Sequence, residues 1–146
     1  MQIDKLIRLY NIEDTESLAL SIIPFLKKRL QTIIFLKGNL GSGKTTFSQI
    51  LLKQLGMTDK VKSPTYSLIE PYSTPDLQIY HLDLYRLQDE NEIYFMGLLD
   101  HLTENALFLI EWPELLEKLN IQADLTLQFH LSEQNNILER SVTLRG

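Results

Sequence analysis

A chain of 146 residues, 44% hydrophobic and 23% charged, has the length and composition of one folded domain spanning 1–146, and is too short for two domains of normal size. A net charge of −5 gives it no general attraction for a nucleic-acid backbone, and without cysteine it has neither a disulfide framework nor a thiolate metal site. Its apolar stretches fall well short of the ~20 residues that cross a bilayer, and Met1-Gln2-Ile3-Asp4 lacks a basic-then-apolar signal pattern, so a cytoplasmic location without membrane attachment is expected.

Ile3 to Leu9 is apolar between polar neighbours and is predicted as a short strand. Asp14 and Thr15 are N-cap residue types ahead of Leu18, Ile22, Phe25 and Leu26, whose spacing fits the buried face of a first helix. Pro24 falls inside that helix and is expected to kink or divide it. The basic run Lys27-Lys28-Arg29 suits a solvated helix end. Thr32 to Lys37 reads as a strand. Gly38 to Thr45 follows as a loop, and Phe47, Ile50, Leu51 and Leu55 mark a second helix that Gly56 stops.

Further along, Tyr66 to Tyr72 and Leu77 to Leu84 flank Ser73-Thr74-Pro75-Asp76 and read as a hairpin. Asp89 to Met96 is predicted as a short helix ending at Gly97. Ala106 to Ile110 is apolar throughout, as a central parallel strand is, and it runs into Glu111. Pro113 suits the first turn of a helix through Lys118. Leu125 to Leu131 and Ile137 to Leu144 read as a second hairpin around Ser132-Glu133-Gln134-Asn135-Asn136. The order implies a three-layer α/β domain of the P-loop NTPase type with a mixed β-sheet, in which a strand and a helix precede the loop.

The loop Gly38-Asn39-Leu40-Gly41-Ser42-Gly43-Lys44-Thr45 carries the most specific chemistry. Between a strand and a helix, such glycines let backbone N–H groups turn around a β-phosphate, Lys44 spans the β- and γ-phosphates, and the Thr45 hydroxyl is a ligand for Mg²⁺. Phosphoryl chemistry also needs an acid to hold Mg²⁺ and a group that positions water or an acceptor. Two carboxylates end apolar strands. Glu111 is the better Mg²⁺ ligand because its strand is the more buried type, while Asp83 either supports that ligand or positions the water; each could instead cap a helix or face solvent. Ser63-Pro64-Thr65-Tyr66 could reach over the γ-phosphate with Thr65 as the sensing hydroxyl, or could be a turn into a strand. Trp112 could be packing, a partner anchor or a shield over the site. His81 shares the strand of Asp83 and could support it by a hydrogen bond.

Taken together, the chain resembles the bacterial TsaE (YjeE) family, the ATPase needed to make threonylcarbamoyladenosine in tRNA. The likeness lies in Gly38 to Thr46, Lys62 to Tyr66, Glu70-Pro71-Tyr72, His81 to Leu87, Gly97 and Ile110 to Glu114. Departures are mild: Asn39 stands where the family usually has Asp, Ser42 where it has Ala, and Tyr66 where Phe is common. The resemblance implies slow hydrolysis of ATP with Mg²⁺ and assembly with the TsaB and TsaD proteins, whose threonylcarbamoyl transferase this chain would bind and reset; tRNA would be met only through that complex. It implies Lys44, Asp83 and Glu111 as catalytic groups and Thr45 and Glu111 as metal ligands. Nucleotide contacts would come from Asn39, Leu40, Gly41, Ser42, Gly43, Lys44, Thr45 and Thr46, with Asp14 and Arg140 near the base. Ser63, Thr65, Tyr85, Arg86 and Trp112 would serve the switch or the partner contact.

A small-molecule or nucleotide kinase would share the loop, but it usually carries an Arg-bearing lid, and the arginines here are scattered. A GTP switch would carry an Asn-Lys-x-Asp motif, which is missing, so ATP is favoured.

Overall fold

The computed structural model describes residues 4–58, 60–61, 64 and 67–146. Among the described residues the strands are β1 (Asp4–Leu9), β2 (Thr32–Lys37), β3 (Ile69–Thr74), β4 (Leu77–Asp83), β5 (Leu107–Glu111), β6 (Leu125–Gln134) and β7 (Ile137–Arg145). The helices are α1 (Ile12–Lys27), α2 (Lys44–Gln54), α3 (Glu90–Phe95), α4 (Leu98–His101) and α5 (Glu114–Lys118). The strands form one mixed sheet in the order β1-β7-β6-β2-β5-β4-β3. Strands β6, β2, β5 and β4 run parallel, while β3 at one edge and β7 and β1 at the other are antiparallel to their neighbours.

Strand β2 explains the layering. Thr32 to Leu36 are all buried, because alternate side chains enter different cores. Ile34 and Leu36 pack with Leu18, Ile22, Phe47 and Leu51 of α1 and α2. Ile33 and Phe35 face the opposite way, toward Ile93, Leu98, Leu115 and Leu116 of α3, α4 and α5. Helices therefore cover both faces, as the alternation of strand and helix patterns implies.

Several local expectations change. The N-cap of α1 is Asn11, not Asp14 or Thr15: the Asn11 side chain accepts from the Asp14 amide, and the Asp14 carboxylate accepts from the Asn11 amide in a capping box. Pro24 does not divide α1, which runs unbroken to Lys27. The carbonyl that loses its amide partner belongs to Leu20, an exposed residue where water can substitute. Gly97, expected only as a stop, has φ 72° and serves as N-cap of the added α4. The polar run from Ser132 belongs to strands: Gln134 pairs with Ile137 around Asn135 and Asn136, both at positive φ, and the solvated arm needs no apolar alternation. In the first hairpin the strands likewise extend to Thr74 and from Leu77, leaving a two-residue connection. Ile3 and Tyr66 lie outside the described residues.

Candidate functional site

The carboxyl ends of β2, β4 and β5 meet at one edge of the sheet, where open α/β folds place ligands. There the loop from Gly38 to Gly43 turns β2 into α2. Gly38 has φ 142°, and a Cβ on it would come within 2.7 Å of the Phe129 carbonyl oxygen, so glycine is needed both for conformation and for close approach. Gly43 caps α2 at φ 114°. Phe47, in the first turn of α2, meets Phe129 of β6 with ring centroids 5.9 Å apart, and so fixes the helix start over the sheet.

Four ionisable side chains converge beside this loop. Lys44, Asp83, Glu111 and His81 are all buried. Parallel register sets Asp83 of β4 opposite Glu111 of β5, so both end their strands on one face. The Thr45 hydroxyl donates to Glu111 Oε1 at 3.1 Å, with Oε2 at 3.4 Å. Glu111 Oε2 lies 2.7 Å from His81 Nε2. Asp83 Oδ1 accepts from the Tyr85 amide at 3.0 Å. Lys44 Nζ donates to the Gly38 carbonyl at 2.6 Å and lies 3.5 Å from the centroid of the Trp112 ring. Trp112 has φ 56°, a strained conformation for a residue with a large side chain, and its ring lies 4.8 Å from that of Tyr85.

Burial sets the electrostatics. It lowers the Lys44 pKa from the usual lysine value, against the opposing pull of Glu111, Asp83 and Glu114. It raises the Asp83 pKa, with Glu111 adding to the shift, while the Tyr85 amide and Lys44 act against it.

These groups line a cleft of about 500 Å³. Its lining includes the loop from Leu40 to Thr46, Asp83, Tyr85, Glu111 and Trp112, and Arg140 of β7. Asn39 and Arg86 are exposed and do not line it. Asp14 is not at the cleft either, because its carboxylate is held by the amides of Tyr10 and Asn11. Ser63 and Thr65 lie outside the described residues. Leu9, Tyr10, Asn11, Ile12 and Thr15 also line the cleft, none of them expected at a site from the sequence. Their placement follows from β1 pairing with β7 and β7 with β6, which brings the end of β1 to the same sheet edge as the loop. The contact of His81 with Glu111 on the neighbouring strand was also beyond a reading of spacing alone.

The profile of the family described as "Threonylcarbamoyl adenosine biosynthesis protein TsaE" matches residues 9–142. The chain belongs to the TsaE family. A TsaE protein of Rickettsia felis is 36% identical over 136 residues, covering 92% of this chain and 78% of that protein. The Bacillus subtilis TsaE protein is 37% identical over 111 residues, 76% of this chain and 68% of its own length. The Haemophilus influenzae protein is 46% identical over 82 residues, 56% of this chain and about half (52%) of the relative. The fold matches the crystal structure of YdiB of Bacillus subtilis with a TM-score of 0.76 and 27% identity, covering 100% of this chain and 87% of that one. The TsaE family thus shares the P-loop NTPase-type α/β architecture described above. Among the described residues no helix is long and apolar enough to cross a membrane.

Proposed function

We infer that this TsaE family member binds ATP with Mg²⁺ in the cleft, hydrolyses it slowly, and acts in making threonylcarbamoyladenosine in tRNA. The observation that carries this reading is the convergence of Lys44, Thr45, Asp83 and Glu111 on one loop at the carboxyl edge of the sheet. Backbone amides, a lysine and oxygen donors in a concave, largely buried site suit a triphosphate better than an uncharged ligand.

The donor set fits Mg²⁺. The cation prefers oxygen and is commonly held by one or two carboxylates together with substrate phosphates, and the Thr45 hydroxyl and Glu111 carboxylate lie in contact beside the loop. Thr45 and Glu111 would hold the ion. When bound, it would neutralise charge on the phosphate oxygens. Lys44 would leave the Gly38 carbonyl for the β- and γ-phosphates. Asp83 would orient the attacking water: the Tyr85 amide fixes one of its oxygens, and burial moves its pKa toward that of a usable base. Arg140, Tyr10 and Ile12 also line the cleft and would meet the nucleoside.

Among the described residues Arg140 of β7 is the one arginine lining the cleft, where a kinase usually carries an Arg-bearing lid, and this favours the nucleotide as a timing device over a phosphoryl source for an acceptor. Its partners would be TsaB and TsaD. ATP would set the shape of the side of the cleft formed by the exposed Tyr85 and the half-buried Trp112, hydrolysis would reset the complex, and tRNA would be met only through it. The test is size-exclusion chromatography of the purified chain with TsaB and TsaD, with ATP, with ADP and without nucleotide. Assembly that depends on ATP supports the reading, and equal assembly in all three conditions refutes nucleotide control.

A further inference from the structure

His81 and Asp83 stand two positions apart on β4 with Leu82 between them, so both side chains share the face on which Glu111 ends β5. His81 is fully buried on the α2 side of the sheet, opposite Leu109 and two register positions behind the Asp83 and Glu111 pair. Its ring nitrogen Nε2 lies 2.7 Å from Glu111 Oε2. An ionised carboxylate only accepts hydrogen bonds, so Nε2 is the donor whatever the state of Nδ1. The other carboxylate oxygen, Oε1, takes the Thr45 hydroxyl at 3.1 Å. Glu111 is thus held from two sides, by His81 behind it at Oε2 and by Thr45 at the ligand edge, nearer to Oε1 than to Oε2.

A glutamate side chain gives up rotamer freedom when it is ordered. Here the fold has already fixed it, because an imidazole packed within the sheet layer holds one oxygen through a charge-assisted bond. His81 Nδ1 has no hydrogen-bond partner among the described residues. Packing therefore orients the ring, and its hydrogen bonding is directed to Glu111. A histidine used only to fill the core would not need that bond, since an apolar residue of similar volume would avoid burying an unpaired nitrogen.

The geometry points to His81 as a positioning residue that holds the Glu111 carboxylate against Thr45, so that both side chains meet a divalent cation already oriented. This rests on the cleft being the Mg²⁺ and ATP site proposed above. Groups behind metal ligands typically govern affinity by about 10- to 100-fold.

The experiment titrates Mg²⁺ into the purified chain saturated with a non-hydrolysable ATP analogue, followed by calorimetry, beside analogue binding measured without metal. In His81→Leu the Mg²⁺ concentration for half-saturation should rise by roughly tenfold or more, while metal-free analogue affinity stays at the wild-type value. His81→Gln, whose amide can donate from a similar reach, should recover much of the loss. Unchanged Mg²⁺ affinity in His81→Leu overturns the assignment. So does a matching loss of metal-free affinity in both variants, which marks a structural role. A wild-type complex indifferent to Mg²⁺ overturns the site reading together with it.

Discussion

The Lys44 ammonium lies 3.5 Å from the centroid of the Trp112 ring while donating to the Gly38 carbonyl 2.6 Å away. A contact of this kind is worth about 0.5–2 kcal/mol. That is enough to hold a long side chain in place, and less than the several hydrogen bonds a triphosphate offers in exchange. Trp112 is the only tryptophan of the chain. Its fluorescence should therefore shift when ATP draws Lys44 away, and Lys44→Ala should abolish the ATP-dependent change along with most ATP binding. A wild-type emission spectrum unaltered at saturating ATP would disprove the exchange.

The glycine loop, Lys44, Thr45 and the strand-ending acids were legible because each is a local pattern whose chemistry depends on residue type and spacing. The helix and strand order was legible for the same reason, through buried faces of period 3.6 or near-continuous apolar runs such as Leu107 to Ile110. What local pattern could not give was pairing across the sheet. Asp14 reads as a cap or a base contact, yet its carboxylate closes the box begun by Asn11. His81 reads as support for Asp83, its neighbour in sequence, yet reaches Glu111 on the adjacent strand. Tyr10 and Ile12 join the cleft only because β1 ends beside β7 and β6. The hairpin of β6 and β7 ran longer than its polar sequence suggested because backbone pairing sustains it where neither face is buried.

Glu111→Ala should keep nucleotide and lose metal-dependent turnover. The Lys44 and loop contacts remain, so ATP affinity without metal should stay near that of the wild type. Hydrolysis with Mg²⁺ should fall by roughly a hundredfold or more, since a metal's charge stabilisation amounts to several kcal/mol. Single-turnover assays at saturating ATP separate the two effects. Wild-type turnover would remove Glu111 from the metal site.

Asp83 carries a pH signature in the metal-free protein. Its folded-state pKa is raised, chiefly by burial, so its protonated form is the one the fold favours. The associated stability is fully present below the ordinary aspartate range and is lost as pH rises through the raised value. Asp83→Asn keeps an acceptor for the Tyr85 amide without the charge. It should melt at a higher temperature than wild type at neutral pH, with the difference closing as the solution is acidified into the carboxylate range. The same variant should hydrolyse ATP poorly yet still assemble with TsaB and TsaD. A pH-independent difference in melting temperature would contradict the burial argument.

Gly38→Ala tests the loop as a piece of structure. The added methyl would meet the Phe129 carbonyl oxygen at 2.7 Å in a backbone conformation with φ 142°. Strain of this kind costs about 1–3 kcal/mol before any clash is counted. Denaturant unfolding should register a loss of roughly 2 kcal/mol or more. Gly41, whose added Cβ would meet nothing within 4 Å, should lose less when changed to alanine. Equal losses at both positions would show that the approach to β6 does not matter.

If Lys44, Thr45, Asp83 and Glu111 form an ATP-hydrolysing site, phosphate release from ATP by the purified chain, measured with and without Mg²⁺ beside Lys44→Ala, should be slow, should depend on Mg²⁺ and should vanish in the variant. Release that persists in Lys44→Ala, or wild-type protein that neither binds nor hydrolyses ATP with Mg²⁺ present, would contradict that assignment.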